Sequence, residues 1–122
     1  MSRIIENARI TSTMLGVEDH GIMTCYLFLE FENCNNCGFG GYALDVYDKE
    51  EGRRVGTAAG MQMIAEILET VGVKNWEDLL GTYVRCEFEG YGGKITRIGN
   101  IIKDKWFSPE DFFAEWEKVE TK

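Results

Sequence analysis

The residues of this 122-residue chain best suited to chemistry are its four cysteines and its one histidine. Cys34 and Cys37 form a Cys-x-x-Cys pair, and with Cys25 and Cys86 they could supply four thiolates to a zinc ion. Zinc signatures, however, carry two such pairs, or one pair with histidines, and here only one pair exists. Cys25 and Cys86 fall within strand-like stretches, where a small buried thiol is the usual occupant. A redox role for the pair needs a helix N-terminus to lower a thiol pKa, and this pair lies between two strands. His20 follows Glu18 and Asp19, a pattern that suits a general base with an orienting carboxylate. It sits in a polar turn with no identifiable nucleophile beside it, so a solvated histidine is expected. No metal, no cofactor and no enzymatic activity are therefore expected, and a hydrolase built on His20 ranks last.

The segment Gly38-Phe39-Gly40-Gly41-Tyr42 carries more weight. Glycines inside a strand cost entropy and weaken the sheet, so they mark a bend or a close approach of backbone or ligand. No helix follows directly, so this is not a dinucleotide fingerprint, and the Gly-Lys-Ser/Thr ending of a P-loop is missing. Two readings stand side by side. One is a bulge in an edge strand; the other is a docking surface with Phe39 and Tyr42 as aromatic anchors. Phosphate could also meet the glycine N–H groups, aided by Arg85 or Arg97, with a base stacked on Tyr42 or Phe39. A second marked segment is 98–107, where Trp106 and Phe107 read as a hydrophobic staple and core packing before a helix. Its turn leaves Asp104 and Lys105 available to a partner.

These residues need a frame. Residues 4–15 read as a strand, with Ala8, Ile10, Ser12 and Met14 on one side and Arg9, Thr11 and Thr13 on the other. Residues 22–32 are the strongest strand signal, with Met23, Cys25, Leu27, Leu29 and Phe31 on one face. A third strand at about 39–47 completes a hairpin, and 48–56 reads as a charged loop. A helix over 57–71 has the stripe Met61, Ile64, Ile67, Leu68 and Val71, with Gly72 as its stop. Asn75 is placed to cap a short helix over 76–80. Strands at 82–89 and 94–102 flank a hairpin at 90–93. The last helix starts with Ser108 as cap, Pro109 at the first helical position and Asp111. Its apolar face is Phe112, Phe113 and Trp116. The expected fold is one α+β domain over 1–122: an antiparallel sheet of about five strands with two or three helices on one face.

Composition sets further bounds. Hydrophobic residues make up 44% of the chain and aromatics 12%, enough to drive a packed core. The net charge of −8 opposes phosphate backbones, which disfavours general nucleic-acid binding. Arg53, Arg54, Lys94, Arg97, Lys103 and Lys105 could still converge locally. No secretory signal and no membrane-length apolar run is read from the sequence, so a cytoplasmic location with reduced cysteines is expected. An edge strand would offer a route to a homodimer.

Several stretches together resemble a family of small proteins encoded in bacteriophage and prophage genomes. They are Glu18-Asp19-His20-Gly21-Ile22; the glycine segment followed by Leu44-Asp45; Leu68-Glu69-Thr70-Val71-Gly72-Val73 followed by Trp76-Glu77-Asp78-Leu79; Gly81-Thr82-Tyr83-Val84-Arg85; and Ile98-Gly99-Asn100-Ile101 with Lys103-Asp104-Lys105-Trp106-Phe107. The resemblance spans nearly the whole chain. It implies an accessory role in a host bacterial cytoplasm, and other residues commonly occupy the positions of Cys34 and Cys37 in that family. The expected function is a non-enzymatic binding protein acting on a host protein or defence system. A small-ligand binder that sequesters a nucleotide-type signal is the alternative, and a purely structural or interaction domain is the third. The expected binding residues are Gly38, Phe39, Gly40, Gly41, Tyr42, Arg85, Arg97, Asp104 and Lys105.

Overall fold

The computed structural model describes residues 3–33, 35–90 and 93–120. Cys34, half of the Cys-x-x-Cys pair, and Tyr91 and Gly92 of the expected hairpin at 90–93 lie outside them. The chain is α+β. A six-stranded antiparallel sheet has the order β3-β2-β1-β6-β7-β8, with a separate two-stranded ribbon of β4 and β5. The strands are β1 (Ile4–Val17), β2 (Met23–Phe31), β3 (Asn36–Gly40), β4 (Asp45–Asp48), β5 (Arg53–Gly56), β6 (Tyr83–Phe88), β7 (Ile95–Asn100) and β8 (Trp106–Phe107). The helices are α1 (Ala58–Val71) and α2 (Pro109–Glu120), with a 3-10 turn at Trp76–Leu79. Among the described residues no helix is long and apolar enough to cross a membrane.

The inner face of the sheet carries the core. Alternation along β2 buries Cys25, Leu27, Leu29 and Phe31, as the sequence pattern requires. Ala8, Ile10, Val84, Cys86, Ile98 and Phe107 join them, covered by Met63, Ile67 and Val71 of α1. The sheet curls so far that Phe39 of β3 meets Phe107 of β8 edge to face, with centroids 6.5 Å apart. Thr57 caps α1 by accepting from the Gly60 N–H (2.9 Å), and Gly72 ends it at φ 92° with its N–H on the Leu68 carbonyl. Gly60 lets α1 approach Leu44, whose backbone an added Cβ would overlap.

Several sequence expectations need correction. The strand expected over 39–47 is two strands: the chain leaves the main sheet after Gly40 and re-enters strand structure at Asp45, paired with β5. The stretch 48–56, read as a loop, therefore includes a strand. A bulge between Ile10 and Ser12 inserts Thr11 into β1 and reverses its alternation. Thr13, opposite Leu27, faces the core side, whereas Ser12 and Met14 sit opposite Phe28 and Tyr26 on the outer face. On α1 the buried stripe passes through Met63, and Met61 is 69% exposed. Asn75 occupies the cap position of the 3-10 turn without a side-chain cap bond; its amide instead donates to Asp78 (3.2 Å).

Candidate functional site

The nine residues singled out from sequence divide into two groups, one on and just after β3 and the other on β6, β7 and the turn before β8. The glycine segment lies on β3 and just beyond it. There Phe39 is only 3% exposed, held against Phe107, so it is a core residue and not an exposed anchor. Tyr42 is half-buried against Phe113 (5.7 Å between centroids), with the Lys94 ammonium 5.0 Å from its ring centre. Gly40 and Gly41 hold φ of 128° and 86°, which turn the strand away from the sheet. Room is the second requirement. A Cβ on Gly40 would overlap the Cys25 carbonyl, and one on Gly41 would lie 2.5 Å from the Tyr26 hydroxyl. The glycines thus form a bed on which the Tyr26 ring lies, itself stacked on Phe28 at 5.6 Å.

Arg85 and Arg97 meet at the other end, brought together by a residue that sequence reading assigned elsewhere. The register aligns Asn7, Arg85, Gly99 and Trp106 across β1, β6, β7 and β8 on the outer face. Period-two alternation from buried Ile98 and Cys86 puts them there. Trp106 was expected in the core; only its neighbour Phe107 is buried. The indole lies over Gly99, where a Cβ would sit 2.6 Å from Cε3. The Arg85 and Arg97 guanidinium carbons are 4.6 Å and 4.2 Å from its ring centre, within cation–π range.

Each of these side chains is oriented by a second contact. Arg97 forks onto Glu87 through Nε (3.0 Å) and Nη2 (3.1 Å). Glu87, 4% exposed, also accepts from Arg3 and Thr96. Burial on its own pushes the Glu87 carboxyl up, yet the bonds and charge of Arg97, with Thr96 and Arg3, hold it below the ordinary glutamate range. Arg85 donates to the backbone carbonyls of Asn100 (2.7 Å) and Lys103 (2.7 Å), clamping the turn at 101–105. Asn100 works from inside that turn. Its oxygen accepts from the Ile102 and Lys103 N–H groups, and its amide donates to the Thr70 and Val71 carbonyls that end α1. Lys105 pairs with Glu69 (2.7 Å) and Asp104 accepts from the Trp106 indole N–H (3.1 Å), so both are engaged with their own chain.

The result is a turn held at both ends that displays apolar side chains to solvent. Ile102 is 87% exposed, Ile101 37%, and Tyr83, beside Arg85 on the same outer face, 51%. Among the described residues Arg85 has carbonyl and indole partners but no carboxylate. The signal available in sequence was the alternation Arg97-x-Gly99 opposite Arg85; Trp106, Glu87 and Asn100 needed the fold.

The cleft beside Arg97, about 370 Å³, contains the carboxylates of Glu87, Glu89, Glu110 and Asp111 and neither Gly40 nor Tyr42. Cys25 and Cys86 are buried, and burial pushes their thiols up to about 11 and about 12, which keeps them protonated and poor as nucleophiles or ligands. His20 is 85% exposed at its side chain, with Glu18 3.4 Å away. The chain matches no protein-family model, no curated protein and no solved structure.

Proposed function

We propose that this chain is a non-enzymatic accessory binding protein, of bacteriophage or prophage origin as its sequence resemblance implies, that docks on a host protein in the bacterial cytoplasm. The observation that carries the reading is the clamped turn at 101–105, which holds Ile102 almost fully exposed, with Tyr83, Arg85 and Trp106 on the outer face of β6 and β8. Tryptophan, tyrosine and arginine dominate interface hot spots, and a pre-ordered surface spares the entropy of ordering on binding. Arg85, with no carboxylate partner among the described residues, favours a partner surface that is apolar with an acidic rim. The high thiol pKa values and the solvated His20 give catalysis little to work with.

Full burial of an isoleucine contributes ~1.5–3 kcal/mol, so Ile102→Asp is expected to weaken partner binding by roughly 10- to 100-fold. The test is affinity capture from host lysate with the wild type, Ile102→Asp and the remote surface variant Met61→Ser. One host protein retained by the wild type and Met61→Ser but lost with Ile102→Asp supports the reading. Equal retention by all three, or a retained small molecule with no protein, sinks it.

A further inference from the structure

The first strand is longer than the sheet that holds it. β1 runs Ile4–Val17, but its register with β6 covers only Ile4 to Arg9. The last contact on that side is at Ile10, whose N–H donates to the Thr82 carbonyl (2.9 Å) and whose carbonyl accepts from the Gly81 N–H (2.7 Å). From Ser12 to Val17 the strand is paired with β2 alone. Counting through the bulge, Ser12, Met14 and Gly16 turn their backbone groups toward β2, and Thr13, Leu15 and Val17 turn theirs to the open side. Among the described residues no strand pairs with that side. The stretch Ser-Thr-Met-Leu-Gly-Val has no charge and no proline, the devices that ordinarily protect a sheet edge. Leu15 and Val17 are 39% and 64% exposed, and both continue the core-side row of β1.

We propose that this edge is a self-association surface, on which Ser12 to Val17 pairs antiparallel with the same stretch of a second copy about a two-fold axis at Leu15. An isologous pairing requires a self-complementary surface, and this register provides one. Leu15 meets Leu15 of the second copy, and β-branched Val17 meets β-branched Thr13, all on the side where the apolar row lacks cover. Each outward N–H meets an outward carbonyl. Glu18 and Asp19 fall opposite Ser12 and Thr11 of the other copy, so no like charges oppose each other although each chain carries −8. A segment from an unrelated protein would need to match this row, whereas the second copy does so by symmetry.

Sedimentation velocity of the full chain from about 1 µM to about 500 µM, a range bracketing modest strand-edge affinities, tests the proposal. The wild type is expected to pass from one 13.9 kDa chain to two as concentration rises. Leu15→Lys and Leu15→Glu each place like charges together at the two-fold axis and are expected to stay monomeric, and mixing the two in equal amounts restores the dimer. Amide exchange of the wild type gives a reading without mutation. The Leu15 and Val17 N–H groups are expected to slow at least tenfold between the lowest and highest concentrations, while Met14 and Gly16, bonded within the chain, do not change. A single-chain mass throughout, dimers of Leu15→Lys alone, a folded mixture that stays monomeric, or exchange at Leu15 independent of concentration overturns the proposal.

Discussion

Gly99→Ala is the sharpest probe of the outer-face cluster. The position has no left-handed φ, so alanine fits the backbone, and the nearest atoms its Cβ would meet belong to the indole above it. The new Cβ would lie 2.6 Å from Cε3 and 2.7 Å from Cδ2 of Trp106, about 1 Å inside ordinary contact. The ring must rise, and β8, only two residues long, gives it little rigid support. Lifting the ring loosens two guanidinium contacts of ~0.5–1 kcal/mol each, and forcing a methyl into filled space costs ~1–3 kcal/mol. The expected destabilisation is about 2–5 kcal/mol, or a Tm lowered by roughly 6–20 °C for a domain of this size. Urea denaturation read by far-UV circular dichroism measures it. The same substitution made on a Trp106→Ala background is expected to cost less than ~0.5 kcal/mol, because the ring it collides with is gone. A Gly99→Ala penalty below ~0.5 kcal/mol, or one unchanged on the Trp106→Ala background, refutes the stacking geometry and the ordering of Arg85 and Arg97 that depends on it.

The glycine segment offers a paired contrast in urea stability. Gly40→Ala, with φ 128° and its Cβ against the Cys25 carbonyl, is expected to cost ~3 kcal/mol or more. Gly38→Ala, whose Cβ would touch only the Tyr26 and Phe28 rings at 3.9 Å and 4.0 Å, is expected to change stability by less than ~0.5 kcal/mol. Equal effects would remove the close approach of Gly40 to the Cys25 carbonyl as the reason for glycine there. The pH dependence follows from Glu87, with Asp45 and Glu69 shifted the same way by Arg54 and Lys105. A carboxyl held down in the fold binds its proton more readily when unfolded, so its stabilisation is complete above the unfolded value of about 4.3 and is lost as pH falls through the lower folded one. Urea midpoints are therefore expected to fall with acidification below about pH 4.5, and less steeply in Glu87→Gln. A variant slope equal to or steeper than the wild type's contradicts that assignment.

Two kinds of signal in this chain were legible before folding. Where one face of an element is uniformly apolar, the period identifies both element and face, and β2 and the ends of α1 follow directly from it. Local backbone chemistry is equally direct: Gly72 ends α1, and Ser108 accepts from the Asp111 N–H at the start of α2. The phase of β1 was not legible, because one bulged residue reverses every side chain beyond it and leaves no mark in composition. The ribbon was hidden as well, since residues 45–47 read as the end of the third strand, the charged residues of β5 read as loop, and the two pair only with each other.

The candidate site shows the same division more sharply. The sequence by itself determined an α+β chain with an antiparallel sheet, the strand alternation that sets Arg85 and Arg97 on one face, and a glycine segment that had to turn or yield space. Only the tertiary structure decided what those features serve. Curling the sheet carried Phe39 onto Phe107 and so into the core, and bringing β8 beside β7 laid Trp106 over Gly99 between the reach of two arginines. A side chain's period tells which face it takes. Which strand lies next to it depends on the closure of long loops and on burial summed over the whole sheet, and neither quantity is local to any stretch of sequence.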